Sequence, residues 1–599
     1  KDAAFISTTS AGVKANREKV SAAMESICNG IGQGHISDED VERALRPIIT
    51  ASERNQRTAA YWLNNLSKLQ SDPTKLQMIR DLREDLRSIT ADEIRELAKE
   101  VYGKDNANFF YTVPQETQSE PEASTGMKGE EYTVIITEET AAQPAWKKVA
   151  DTLVAKYPGA ELRVVPEFTM EHCVKAMQET QARYVAYVAR PEETGRVTTN
   201  VFHRAARRVD EDPWGDCMWG VVTGYSAEDA QRIADTREPL VIKRLLSTTN
   251  VHYAAFEHSF CITDWTGSPI LEQTGYQEPK SRMIEPQSEE GKAGMQSVFG
   301  KEMSTQKPQF LVTSSHATQF NLEMPFGKGL IFPSGNRFYQ LPEALMPYFG
   351  GVLNQALKGN TQPLAALAKE KELTSITPDG ASRVWLAAGN CLFGDTHGTK
   401  ESMAVTALSG YTCNQVVGYT VPSWFGEGGW GTLSMFLSNT TGTTLAEAWF
   451  LNNQFILQKT MEVDPRLMKA EFNDDKITYK FQISINRSGA TIHPGNARQA
   501  VGLVHDRDTV AFYGDPAWSA SADSSHAPAP YTVAWNDANS LTITANADTK
   551  SRCAIWFPNA DIAKGCRECD VEGAILTDDF VLIPQLEMKK GEQRTVTFK

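Results

Sequence analysis

Two short apolar segments each run out into a residue capable of nucleophilic chemistry. They are Phe310-Leu311-Val312-Thr313-Ser314-Ser315-His316-Ala317 and Val384-Trp385-Leu386-Ala387-Ala388-Gly389-Asn390-Cys391. A thiol attacks as the thiolate, and a neighbouring imidazole supplies the base or ion-pair partner that makes the thiolate available near neutral pH. Small residues in the turns suit backbone N–H groups that must face a developing oxyanion, and Ala317, Gly389 and Asn390 meet that need. The residues therefore point to Cys391 as nucleophile, His316 as acid/base, and the N–H groups of Ala317 and Cys391 as oxyanion donors. Taken singly, each is a buried thiol or a hydrogen-bonded imidazole at a strand end; the pairing argues for catalysis. His397 is a rival base that would have to fold back from six residues downstream. Ser315 lacks a nucleophile elbow. His252 and His258, six apart, make no helical metal pair, and Cys566-x-x-Cys569 has no second pair at zinc-ribbon spacing.

The elements that would hold these residues form an α/β alternation. Strands are expected at 132–137, 162–165 and 184–188, with helices at 146–157 and 170–181 between them. The alternation continues through a strand at 217–225, a helix at 227–235 and the two strands that end at His316 and Cys391, and it implies a parallel sheet with crossover helices. In such sheets ligands bind where strands end. The 75 positions between His316 and Cys391 require an insertion in the crossover, with helices near 345–357 and 364–367. The last 70 or so residues alternate at period two, as in Tyr531-Thr532-Val533-Ala534-Trp535, and read as a small Ig-like β-sandwich.

Ahead of this lie residues 1–114, read as α+β. Helix starts are expected at Ser37-Asp38-Glu39-Asp40 and Thr90-Ala91-Asp92-Glu93, a helix at 13–28, and a closing strand at 109–113. Residues 115–130 are polar and acidic with no apolar period, the composition of a linker. The domain reading is thus 1–114, a linker at 115–130, an α/β domain at 131–525 and a sandwich at 526–599: a multidomain α/β chain.

At 599 residues the chain exceeds what one core can serve. Its 75 acidic against 60 basic residues give a formal charge of −15, which argues against nucleic-acid binding and against docking on anionic lipid. No window approaches a membrane span. The start, Lys1-Asp2-Ala3-Ala4-Phe5, is expected to be the middle of a longer or processed protein. Nine cysteines permit four disulfides and a free thiol without demanding them.

The His316 and Cys391 strand ends resemble clan CD cysteine peptidases, and the residues downstream are similar to the gingipain branch. Ser402 to Leu408 follows the nucleophile as a helix, then a strand at 414–419, a loop, a helix at 445–458, and Gly514-Asp515-Pro516 near the end of the catalytic unit. The resemblance spans roughly residues 130–599 and implies a caspase/gingipain-like fold, a secreted or cell-surface location and a polypeptide substrate. It requires no cofactor for catalysis and leaves a structural calcium open. Within it, Asp212 or Asp216 is the candidate to orient His316, against a solvated turn. Trp424 and Glu427 are candidates for the specificity pocket, Glu427 as a selector of basic side chains, against an exposed loop charge. Ala317 departs from the family's usual Gly after the His.

Residues 1–114 resemble the C-terminal part of a pitrilysin/insulinase-type zinc peptidase domain through Ile36 to Val41, Tyr61-Trp62-Leu63 and Ile89 to Ile94. No His-x-x-Glu-His occurs among the ten histidines, so the segment is expected to be scaffold, completed by a missing upstream segment or by another subunit. The leading expectation is a cysteine endopeptidase. The alternative is a catalytically inactive, peptidase-like subunit of a larger secreted assembly.

Overall fold

The computed structural model describes residues 26–27, 29–56, 61–62 and 74–101. From 132 to 599 it describes all but 252–254, 263–269, 379, 439–441, 472–484, 486, 491 and 524–528. The chain divides into two compact units, Lys1–Glu120 and Pro121–Lys599. The expected linker at 115–130, the strand at 109–113 and nearly all of the helix at 13–28 lie outside the described residues.

In the first unit, helices occupy Asp38–Asn55, Thr74–Ser88 and Ala91–Val101. Reciprocal capping starts two of them. Thr90 Oγ1 accepts from Glu93 N at 3.3 Å while the Glu93 carboxylate accepts from Thr90 N at 2.8 Å, and Ser37 and Asp40 repeat the exchange. Arg95 ties the last helix to the first, donating Nε to Ile36 O at 2.8 Å and pairing with Asp38 and Asp92.

The second unit is built on a twelve-stranded sheet. From one edge the strands are Glu161–Val165, Tyr132–Thr137, Tyr184–Val188, Met218–Val222, Val510–Gly514, Cys413–Tyr419, Arg383–Ala387, Phe310–Val312, Arg244–Ser247, His258–Ile262, Ile270–Thr274 and Lys280–Arg282. The first five run together and so do the next five, but the two blocks meet antiparallel where Cys413–Tyr419 pairs with Val510–Gly514. Two antiparallel strands finish the edge. The single parallel sheet expected from the alternation is therefore corrected to two parallel blocks of opposite direction. The Val510–Gly514 strand returns antiparallel to Cys413–Tyr419 after the helices Leu445–Val463 and Ala497–Arg507.

Continuous burial of strands such as Met218–Val222, Arg383–Ala387 and Cys413–Tyr419 reflects cover on both faces. Leu445–Val463 is buried along most of its circumference. Its Trp449 packs on Trp219 and Phe512 of the sheet, and its Phe450 on Trp556 and Phe580 of the C-terminal region. That region comprises two three-stranded antiparallel sheets around their own core of Tyr531, Leu541, Ile543, Phe557, Leu586 and Val596, among others. Arg183 joins it to the α/β body: Nε donates to Asp579 at 2.8 Å, a terminal nitrogen donates to Phe557 O at 2.5 Å, and the guanidinium stacks on Trp556.

The crossover between the histidine and cysteine strands carries its insertion as a four-stranded antiparallel sheet, Ala317–Thr318, Asn321–Glu323, Leu330–Ser334 and Arg337–Leu341. Helices Met346–Ala356 and Gln362–Glu370 pack on it around Phe320, Phe332 and Phe349. Among the described residues no helix is long and apolar enough to cross a membrane.

Candidate active site

The strands Phe310–Val312 and Arg383–Ala387 are parallel neighbours with Val312 opposite Leu386, so they end in step. Their continuations stay joined. Thr313 N donates to Leu386 O at 3.1 Å, Gly389 N to Thr313 O at 3.3 Å, and the Trp385 indole to Thr313 Oγ1 at 2.9 Å. Beyond them the fully buried Asn390 donates Nδ2 to the Ser315 carbonyl at 2.9 Å and to its hydroxyl at 3.2 Å. A carbonyl oxygen can only accept, which fixes the amide's orientation. Gly389 is required here, because a Cβ would stand 2.1 Å from Ser314 Oγ. One residue past this clamp on each side come His316, exposed, and Cys391, half-buried.

The sulfur of Cys391 is held from the far side by Ser423, whose N–H donates to Sγ at 3.3 Å and whose Oγ lies 3.5 Å from it. The Ser423 hydroxyl itself donates to Gly389 O at 2.8 Å, closing a ring around the Cys391 turn. Leu392 then takes φ 59°, a left-handed conformation that is strained for a branched side chain and costs of order 1 kcal/mol. It is fixed by Leu392 N on Val421 O at 3.2 Å and Gly394 N on Tyr419 O at 2.9 Å.

Ala317 opens the next hairpin opposite Leu322, with Glu323 N donating to His316 O at 2.9 Å. The 316–323 pair is thus hydrogen-bonded and the 317–322 pair is not, which turns the Ala317 N–H away from its partner strand. Ala317 is not among the residues of positive φ, so its methyl group carries no backbone penalty where the resembling family has Gly. Among the described residues nothing accepts a hydrogen bond from Cys391 N–H.

Asp212 and Asp216 stand elsewhere. They precede the Met218–Val222 strand, four strands from Phe310–Val312 and so about 19 Å away at the usual spacing. They face the C-terminal sheets. Burial, then Asp210, pushes the Asp212 carboxyl up to about 6. Burial, then Asp210, Asp212, Asp579 and Asp578, raises that of Asp216 well above its ordinary value. The expected orienting role toward His316 is corrected: these residues belong to an acidic seam, where the ligand oxygens of Asp210, Asp212 and Asp216 lie within 4.8 Å of one another.

Glu427 begins the Glu427–Ser438 helix and is bound to Lys459 at 2.5 Å and Arg552 at 3.1 Å. Burial pushes its carboxyl up, but the hydrogen bond and charge of Lys459, then Arg552, bring it net below the usual range. Its carboxylate is engaged by two cations of the chain itself and ties this helix to the C-terminal sheets. Trp424 follows Ser423 directly and lies half-buried, edge-on to His505. Trp430, also half-buried, reaches Gly389, its Nε1 3.3 Å from where a Cβ would lie. His397 turns away, its Nε2 3.2 Å from Leu357 O and its ring on Phe320. Cys566 and Cys569 are free thiols, as are the other described cysteines.

Sequence reasoning gave Asn390 only as a small turn residue and missed both its clamp on Ser315 and the hold of Ser423 on the thiol. The only advance signal for both was adjacency: a polar residue before Cys391, and a Ser in the loop after the next strand.

No family model matches the chain, and no curated protein matches it. Two solved structures are similar at low level. One, described as "Structure of Protease", has a TM-score of 0.35 at 9% identity, covering 79% of this chain and 96% of that one. The other, the complex of Porphyromonas gingivalis RgpB pro- and mature domains, has a TM-score of 0.33 at 10% identity, covering 76% and 94%. Likeness at this level carries no argument, so the functional reading rests on the site itself. The pitrilysin/insulinase resemblance of residues 1–114 finds no support in either.

Proposed function

We propose that the protein is a cysteine endopeptidase that hydrolyses peptide bonds with Cys391 as nucleophile and His316 as acid/base. One observation carries the reading: the two strands end in step and the Asn390 amide clamps their continuations together, one residue before the thiol on one side and the imidazole on the other. A structural thiol or imidazole needs no such mutual registration, whereas a nucleophile and its base do.

The Cys391 thiolate attacks the carbonyl carbon of the scissile amide, forming a C–S bond as the π pair moves to oxygen. The N–H groups of Ala317 and Cys391 are free to meet that oxyanion. Collapse breaks the C–N bond, and the proton held by His316 passes to the departing amine. Water then attacks the thioester while giving its proton to His316, and the second collapse releases the acid and returns the sulfur and its proton to the pair. No cofactor enters these steps.

The test is labelling with an electrophilic cysteine probe across pH, read by peptide mass spectrometry, in the parent chain, Cys391→Ala and His316→Ala. Selective labelling at Cys391 that drops about a hundredfold or more without His316 is the expected result. Equal, slow labelling of all exposed thiols would overturn the reading in favour of an inactive peptidase-like subunit.

A further inference from the structure

His316 needs a carboxylate that fixes its tautomer and stabilises its imidazolium, and neither Asp212 nor Asp216 reaches it. We infer that this carboxylate is Glu323. The inference rests on the peptidase reading above, and it starts from strand register. Ala317 pairs with Leu322 and Thr318 with Asn321, and the ladder continues through the 2.9 Å bond from Glu323 N to His316 O. His316 and Glu323 are therefore directly opposite, with both side chains on the same face of the hairpin and Cβ atoms about 4.5–5.5 Å apart. The other face is accounted for: Ala317, Leu322 and Ile331 point into the main core.

Other charged groups on the surrounding elements are already committed. Asp395 accepts from Gln319 Nε2 at 2.9 Å, His397 N at 3.2 Å and Arg196 N at 3.3 Å. Lys328, on the turn after Glu323, pairs with Glu343 at 2.9 Å. Glu427 is bound to Lys459 and Arg552. Asp506 accepts from Tyr419 and from Gly428 N and contacts His505. Cys391 is the remaining titratable group beside the clamp. Glu323, part-exposed, is in no ion pair among the described residues, His316 included. The contact to the imidazole closes by side-chain rotation across the hairpin, as catalytic hydrogen bonds commonly do when substrate seats. Glu323 is thus a positioning residue, acting through His316.

The test uses the full chain as parent, Glu323→Gln, Glu323→Asp and His316→Ala, each with a peptidyl electrophile that traps Cys391 as a covalent adduct. In the parent adduct, NMR should show an exchange-protected, downfield imidazole N–H assigned to His316 by its loss in His316→Ala. Glu323→Gln, which keeps the size and the fold, should lose that signal and label about tenfold more slowly, with a changed pH profile, while Glu323→Asp restores part of both. An unchanged signal and profile in Glu323→Gln, with His316→Ala still impaired, would overturn the role of Glu323 and leave the peptidase reading standing. Failure of Cys391 to label in the parent chain would instead sink the peptidase reading and, with it, the role of Glu323, whereas a labelled parent whose adduct shows no such imidazole signal would overturn the role of Glu323 alone.

Discussion

Two seams in the second unit bring chain segments together, and they do it by opposite means. Under the nucleophile, the strands that lead to His316 and Cys391 are joined by neutral hydrogen bonds: Thr313 to Leu386, Gly389 to Thr313, Asn390 to Ser315, Ser423 to Gly389. At the C-terminal sheets, one buried cation, Arg183, meets a crowd of carboxylates at Asp579, Asp578, Asp212 and Asp216. Neutral directional bonds fix the geometry of the turns without placing a charge beside the thiol and the imidazole. A crowded carboxylate seam binds through charge, and its strength responds to pH. Both regions contain residues that the sequence nominated for one site, and the contrast separates a neutral, registered arrangement of strand ends from a charged seam at the C-terminal sheets.

The largest expected effect breaks the charged seam. Arg183 and Asp579 are almost wholly buried, and removing one partner of such a pair leaves an uncompensated charge worth about 3–5 kcal/mol. Arg183→Ala should lower the unfolding free energy by that order in urea melts at pH 8. It should cost less at pH 5, where Asp579, pushed up to about 7 by burial against the pull of Arg183, takes a proton. A loss below 1 kcal/mol at pH 8 would show that the seam does not hold the C-terminal sheets.

The next effect falls on the seam beneath His316 and Cys391. Asn390→Ala strips the Ser315 carbonyl of its donor, for a stability cost of about 1–3 kcal/mol. Its signature is disproportion: probe labelling of Cys391 should fall about tenfold while the melting temperature falls only a few degrees. Labelling that falls no more than general destabilisation predicts would reduce the clamp to ordinary packing.

How much of this contrast the sequence revealed follows from what each feature depends on. The strand ends at His316 and Cys391 were legible because a short apolar run terminating in small residues is a local pattern. Strand direction was not, since the reversal between Cys413–Tyr419 and Val510–Gly514 arises from a return across the whole domain. Glu427 read as a free loop charge because its two cations lie 32 and 125 positions away. Asp212 and Asp216 read as neighbours of His316 because an acidic loop before a strand says nothing about which strands intervene. Glu323 was the nearest to legible: Ala317-Thr318-Gln319-Phe320-Asn321-Leu322-Glu323 is the length of a two-residue hairpin whose register can be counted.

A smaller effect sharpens the electrostatic side. A folded-state carboxyl raised above its ordinary value keeps a proton that the unfolded chain has released. From about 3.8, the ordinary value of an aspartic acid, up to about 6, the native state with Asp212 therefore binds more protons than the unfolded state. Stability contributed by this group consequently falls as pH rises through that window and is flat above it. Asp212→Asn should flatten the decline of melting temperature between pH 4 and pH 6 relative to the parent. An identical slope would place the raised protonation elsewhere in the seam.

The smallest effect concerns Glu427, which Arg552 ties to the C-terminal sheets. If this carboxylate selected basic side chains, Glu427→Gln would collapse the labelling ratio between probes with a basic and a neutral residue at the cleavage position. A carboxylate already satisfied by Lys459 and Arg552 has little field left to offer a third cation, and a surface-proximal pair contributes only about 0–1 kcal/mol. The expected outcome is an unchanged ratio with a melting temperature lowered by a degree or two, because the helix that follows Ser423 loses its tie to the C-terminal sheets. A collapsed ratio would return Glu427 to the specificity pocket.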